Sequence, residues 1–304
     1  MRVSLGRKRY ILVKSSAGLL FATYLHNCKF VLLFLLLFLQ ACSTCSHANY
    51  EEQLEQKITQ EEKIGDSITQ EWASIANVGY PSIADTIPSE IYERICYSVS
   101  YNDSTRQPNW VMWQLIGEHV MKHKEGVWND YMEDPSVKEG NRATLADYAS
   151  SGYDRGHMCP GGDCNWNDDG RYETFLLSNM CPQNPNLNRG DWKEIEIACR
   201  KWAKMYGCIY IVCGPIFFKS QDHERIGPNR IPVPEAFFKV ILYAGTSSPK
   251  GIGFICRNTD GNRKKDFYVN SIKQVERVTG YKFFTNLDDS IKEKVFDMDD
   301  INQW

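Results

Sequence analysis

The sequence has no apolar run long enough to cross a bilayer as a helix. Its longest, Phe30 to Leu39, is ten residues, about half of what the hydrocarbon core requires. It has no internal repeat and no long low-complexity tract, which excludes a solenoid or propeller array and a chain disordered throughout. It has little histidine, six residues in 304, so chemistry that rests on imidazole is confined to few positions. It also has no surplus of basic charge: 35 Lys and Arg against 38 Asp and Glu give a net charge of −3. The first 41 residues hold six of the basic residues and no acid, so the remainder carries 29 basic and 38 acidic residues, a formal charge of −9. A high-affinity nucleic-acid binder presents a basic face, and this balance argues against one. It does not argue against an enzyme that must release its product, because a metal and a few arginines can make one cleft positive in an acidic body.

What is present begins with a targeting segment, set aside before fold reasoning. A basic stretch runs into the apolar run, and Leu39-Gln-Ala-Cys42 has the form of a bacterial lipobox. The expectation is a signal peptide over 1–41, cleavage before Cys42, lipid on its thiol, and an exported protein anchored to a membrane in the periplasm or at the cell surface. Plain secretion and a retained anchor are the alternatives. Eleven cysteines become nine without Cys28 and Cys42, an odd number that leaves at least one free thiol or an intermolecular bond. Cys159 and Cys181 sit in equivalent Cys-Pro pairs and could approach each other. Structural thiols, or one or two disulfides, are favoured over a zinc site from Cys159, Cys164 and Cys181.

Residues 42–85 read as a linker and helical stalk, rich in Glu, Gln, Lys and Ile between Tyr50 and Val78 and ended by Gly79-Tyr-Pro81. After it, alternation predicts strands over 91–101, 209–213, 237–243 and 252–256, and a helix over 271–279 ending at Gly280. Gln107-Pro-Asn-Trp110 is expected to turn the chain into a short helix. Strands and helices mixed without a βαβ rhythm give an α+β class. The roughly 220 residues from 86 to 304 suit one domain with a sizeable core.

The chemistry concentrates in three stretches: Ser151-Gly-Tyr-Asp-Arg-Gly-His157, Ser178-Asn-Met-Cys-Pro-Gln183 and Asn186-Leu-Asn-Arg-Gly-Asp-Trp-Lys-Glu-Ile-Glu196. His157 titrates near neutral pH and can take a proton from water. It follows Arg155 and a glycine expected to allow a sharp turn. Asn188 is a hard oxygen donor suited to Mg²⁺, which keeps several waters and needs few protein ligands. Asn is also a favoured N-cap, and a helix is expected to start near it. Trp192, Glu196 and Arg200 follow at steps of four, which on a regular helix keeps them along one face. Glu196 and Arg200 are equally an ordinary i,i+4 surface pair, and Trp192 reads as core. Arg263-Lys-Lys265 reads as a solvated hairpin turn, and Asp154 as structural.

Taken together these motifs resemble the DNA/RNA non-specific endonucleases, ββα-metal (His-Me finger) nucleases, over residues 88 to 290. The resemblance implies a central mixed or antiparallel sheet flanked by helices, and a metal-dependent endonuclease acting on DNA and RNA to leave 5′-phosphates. It implies His157 as general base, Asn188 as the sole direct protein ligand of one Mg²⁺ (or Mn²⁺), and Glu196 as a carboxylate orienting metal-bound water. Arg155, Arg200 and Arg142 become phosphate contacts, with Asn179 in support. Two other readings stand beside it: a DNA-only nuclease or toxin, and a catalytically silent nucleic-acid-binding lipoprotein. Oligomeric state is not legible.

Overall fold

In a computed structural model of the chain, residues 78–122, 130–218, 222–245, 248–259 and 261–304 are described. The expected signal peptide, Cys42 and most of the stalk lie outside them. Among the described residues no helix is long and apolar enough to cross a membrane. The folded body takes in Val78, buried at 3% exposure, and Ser82, which bridges Lys282.

Seven strands form one sheet in the order β1 (Glu90–Glu93), β2 (Ser98–Asn102), β3 (Gln107–Ile116), β6 (Cys208–Ile216), β9 (Ala236–Tyr243), β10 (Lys250–Arg257) and β11 (Val269–Asn270). Every pairing is antiparallel. The stretch 91–101 is thus a hairpin of two strands. The expected helix after Gln107 is instead the start of β3, a ten-residue strand buried over most of its length. Trp110, Val111, Met112 and Trp113 are all buried. Both faces of the sheet are covered, so its strands read as near-continuous apolar runs rather than alternating ones.

Side-chain alternation sends Val111, Trp113, Ile209, Ile211, Phe237 and Ile241 into one core, and Trp110, Met112, Tyr210, Val212, Phe238 and Val240 into another. Helix α1 (Gly117–Met121) follows β3 directly. Helix α2 (Lys193–Tyr206) buries Ile195, Ala198, Cys199, Trp202 and Ala203 in the first core. Helix α3 (Ile272–Thr279) and helix α4 (Asp289–Val295) contribute Ile272, Val275 and Val295 to the second. Ser271 and Gln274 form a capping box on α3, and Gly280 ends it in the left-handed conformation.

Two ribbons stand apart from this sheet: β7 (Arg225–Ile226) with β8 (Ile231–Pro232), and one that joins the three motif stretches. β4 (Asp154–His157) pairs antiparallel with β5 (Met180–Gln183), setting Asp154 opposite Gln183 and His157 opposite Met180. Gly156 lies within β4, so it is not a turn residue. A Cβ there would stand 2.6 Å from the Cβ of Gln183 and closer still to its Oε1. Glycine is needed for close cross-strand approach. Buried Asn179 locks the chain beyond His157: its Oδ1 accepts from Cys159 N at 2.9 Å, and its Nδ2 donates to the carbonyls of Cys159 and Thr174 at 2.8 and 2.9 Å.

Gly156→Ala is expected to cost roughly 1–3 kcal/mol through overpacking against Gln183. Denaturant unfolding checks this; a midpoint equal to the parent protein's would show that the ribbon relaxes freely.

Candidate active site

The ribbon meets the segment before α2 through one carboxylate. Asp154 Oδ2 accepts from the Nδ2 of Asn188 at 2.9 Å and from the Nε of Arg189 at 2.8 Å, and its Oδ1 accepts from the Nη2 of Arg189 at 2.6 Å. Burial pushes the Asp154 carboxyl pKa up, but the bonds from Arg189 and Asn188 outweigh it and hold it below its ordinary value. The amide nitrogen of Asn188 is thereby committed, which leaves Oδ1 as the atom it can offer to a cation. Asp154, Arg155, Asn188 and Arg189 line one open cleft of about 410 Å³, with Tyr131, Tyr148 and Tyr153 among its other walls.

The path into α2 is not a regular helix. Asn184, not Asn188, caps the first turn, accepting from the backbone N–H groups of Asn186 and Leu187. The segment Asn188–Trp192 is kinked: Gly190 inside it has φ −106° and ψ −106°, outside helical geometry. The steps of four from Asn188 to Arg200 therefore do not follow one continuous face.

His157 stands behind the cleft among rings: Phe175 edge-on at 4.9 Å and Tyr131 at 5.5 Å between centroids. Its Nε2 is buried and has no hydrogen-bond partner among the described residues. Burial, and then the neighbouring Arg171 cation, push its pKa down to about 3. The imidazole is neutral throughout the physiological range, the form that accepts a proton. The Arg155 guanidinium lies 4.3 Å over the Tyr131 ring, which fixes its plane beside the cleft.

The remaining expected site residues fall elsewhere. Arg200 Nη1 donates to Asp163 Oδ1 at 2.8 Å. Trp113 Nε1 donates to the other oxygen of Asp163 at 3.1 Å. No ion pair joins Glu196 to Arg200 among the described residues, so they are not the simple surface pair. Burial pushes the Glu196 carboxyl up to about 7, against the pull of Lys239. No hydrogen bond or ion pair connects these residues to His157 or Asn188 among the described residues. Arg142 does not line the cleft; it faces Glu133 at 3.9 Å.

Sequence reasoning missed Arg189 and the ring wall of Tyr131 and Phe175, and it read Asp154 as structural only. The two charged neighbours of recognised motif residues were the available signal. Arg263 belongs to the connection between β10 and β11, and its backbone N–H donates to Asp191 at 3.1 Å. All eight described cysteines are free. Cys159 approaches Cys164, with the sulfurs 3.9 Å apart. Among the described residues no group of three His, Cys, Asp or Glu side chains could hold a metal.

Residues 80–290 match the DNA/RNA non-specific endonuclease family. The chain is 31% identical to bovine mitochondrial endonuclease G over 70% of its own length and 73% of that protein. It is 34% identical to nuclease C1 of Cunninghamella echinulata var. echinulata, covering 71% of this chain and 89% of that one. A chain in a crystal structure of the EndoG/EndoGI complex, describing the mechanism of EndoG inhibition, superposes with a TM-score of 0.65 at 28% identity, covering 71% of this chain and 92% of that one.

The depressed His157 pKa has a consequence for the metal-free protein. Between about pH 6.5, the ordinary histidine value, and about 3, the unfolded state binds a proton that the folded state does not. This part of the stability is therefore lost as pH falls through that window. His157→Gln is expected to narrow the fall in thermal midpoint between pH 7 and pH 4 relative to the parent protein. An equal fall in both would show that His157 is solvated and titrates normally.

Proposed function

The chain belongs to the DNA/RNA non-specific endonuclease family, and from that premise we propose that it hydrolyses phosphodiester bonds of DNA and RNA by a one-metal route that leaves 5′-phosphates. The observation that carries this reading is the Asp154 bridge, which commits the amide nitrogen of Asn188 and leaves its oxygen as the atom available at the cleft that Arg155 also lines.

The donor set fits a hard cation: one neutral amide oxygen in a polar cleft, with the rest of the sphere left to water, suits Mg²⁺ or Mn²⁺. Held there by Asn188, such an ion would supply positive charge to the phosphate and to the leaving 3′-oxygen. The protein's own groups do the rest. His157, neutral and with Nε2 unpartnered, accepts the proton of the attacking water. The guanidinium of Arg155 supplies donors to the phosphate as negative charge develops. Arg189, 73% exposed at its side chain and held on Asp154, places a second cation at the cleft wall. Glu196 acts as an orienting carboxylate, and Arg200 is fixed by Asp163. These groups address phosphate and water. None is placed to read a base edge or to require a 2′-hydroxyl, so sequence and sugar preference are weak.

We also propose export and lipid attachment at Cys42, which rests on the lipobox-like sequence alone. Cys42→Ser is expected to abolish labelling by a palmitate analogue and release the protein from membranes; labelling that persists would reject the anchor.

The purified protein is expected to cut plasmid, single-stranded DNA and RNA, and EDTA to stop all three. His157→Ala should lower kcat by roughly 100- to 10,000-fold. Asn188→Ala should demand much more Mg²⁺, while Asn188→Asp retains part of the activity. Fast DNA cleavage without RNA cleavage would reject the broad substrate range, and ends bearing 3′-phosphates would reject the route. An unchanged Mg²⁺ titration for Asn188→Ala would reject the ligand assignment.

A further inference from the structure

The basic run Arg263-Lys-Lys265 has no part in the site described above. It lies in residues 261–268, Gly-Asn-Arg-Lys-Lys-Asp-Phe-Tyr, which lead from β10 to β11. Three of these eight are cations and one is an acid, within a body whose formal charge is −9. Phe267 among them is 70% exposed, the most exposed of the large apolar side chains among the described residues. A single apolar residue in water is ordinary, but this ring is held in place. The Arg263 guanidinium lies 5.5 Å from its centroid, and the Tyr268 ring meets it edge-on at 5.4 Å. An exposed aromatic ring with a guanidinium over it, set among lysines, is a surface on which unpaired bases stack while the cations follow the backbone.

Both arms of this loop close on one carboxylate. Asp191 Oδ2 accepts from the backbone N–H of Arg263 at 3.1 Å and from the hydroxyl of Tyr268. Gly261 passes the same oxygen so closely that a Cβ there would stand 2.4 Å from it. Asp191 and Tyr268 are both buried, so the attachment is shielded while Phe267 is not. Lys265 adds a 3.9 Å pair with Glu194 on the first turn of α2. The Arg263 and Lys264 side chains make no ion pair among the described residues. Asp191 belongs to the kinked segment Asn188–Trp192, which also carries Asn188 and Arg189 to the cleft. Three peptide units separate Asn188 from Asp191, so their Cα atoms lie within about 11 Å of each other. One short segment is thus tied to Asp154 at its start and to this loop near its end. A strand leaving the cleft past Asn188 has the loop beside it.

We propose that residues 261–268 are a single-strand docking loop of the nuclease site: Phe267 takes the face of one unpaired base, and Arg263 and Lys264 take the phosphates flanking it. The inference rests on the endonuclease reading and adds to it a preference for unpaired substrate. In a duplex each base face is covered by its neighbours, and Phe267 has nothing to stack on. Every base has a π-face, so the contact favours no sequence, in keeping with a cleft whose groups address phosphate and water.

The test begins without turnover. In EDTA at low salt, anisotropy of a labelled oligonucleotide of about ten nucleotides, single-stranded and as its duplex, reads binding directly. Phe267→Ala is expected to weaken single-strand binding about fivefold or more, and duplex binding less than about twofold. Phe267→Tyr should keep the single-strand affinity, and Phe267→Leu, apolar without a π-face, should not. A fluorescent base analogue moved along the strand should be quenched at one position by the wild-type protein and not by Phe267→Ala. Lys264→Ala should lower the slope of log K against log salt on single strands by about 0.7. In turnover, the ratio of kcat/KM on single-stranded to duplex DNA should fall in Phe267→Ala by the factor seen in binding. Phe267 is exposed, so folding is not at stake in these variants. Equal losses on both substrates, no loss on either, or a wild-type protein that binds neither would overturn the stacking. An unchanged salt slope in Lys264→Ala would overturn the phosphate contact. A wild-type protein that binds single strands through Phe267 but cuts neither DNA nor RNA would reject the endonuclease reading and leave the loop's binding intact.

Discussion

The candidate site hangs on the carboxylate of Asp154. It leads the strand that ends in His157, and its two oxygens receive one amide and one guanidinium from the turn that leads to the long helix. An ionised carboxylate is an acceptor only, so it sorts its partners by their donors. It takes the nitrogen of Asn188 and thereby leaves the oxygen as that amide's remaining polar atom. Without this bridge, ribbon and turn would be adjacent pieces whose polar groups had no fixed relation. A charge-assisted bond of this kind is stronger than a neutral one, and it is used here to set direction as much as to hold.

Positive charge is in no surplus in this sequence, and several of its cations are fixed in place. Lys239 is spent inside the core, Arg200 on a buried aspartate, and Arg189 on Asp154. Arg155 is braced by a ring and carries a buried Nε without a partner among the described residues. Net charge describes the body as a whole and says nothing of how the field is focused within one cleft. An acidic protein with fixed internal cations can attract phosphate locally while holding long polyanions weakly, which suits turnover.

Much of this was legible in the sequence, and the reasons for the rest are physical. The three motif stretches do converge: β4, the turn into β5 and the segment after β5 carry Asp154, Arg155, His157, Asn179 and Asn188. The strands at 209–213, 237–243 and 252–256 were visible because both faces of the sheet are buried and the runs are apolar. The same property hid the start of β3, where Pro108 suggested a helix start but Trp110 to Trp113 continue into the core. The shared face from Asn188 to Arg200 failed because period counting assumes one continuous helix of 3.6 residues per turn, and the chain kinks at Gly190 between them. Arg142 was legible as a residue but its pairing with Glu133 was not, since that partner comes from a separate loop. Lys239 was visible as one charge in an apolar strand, but the Trp113 and Trp192 rings beside it were not legible.

The kink at Gly190 also uncouples two directions. A continuous helix fixes the bearing of every side chain by a rotation of about 100° per residue about one axis. Gly190, at φ −106° and ψ −106°, leaves that geometry between Asn188 and α2. The bearing of Asn188 is therefore set by the segment before the kink and by its bond to Asp154, not by the phase of α2. Substitutions along the faces of α2 leave that bearing unchanged.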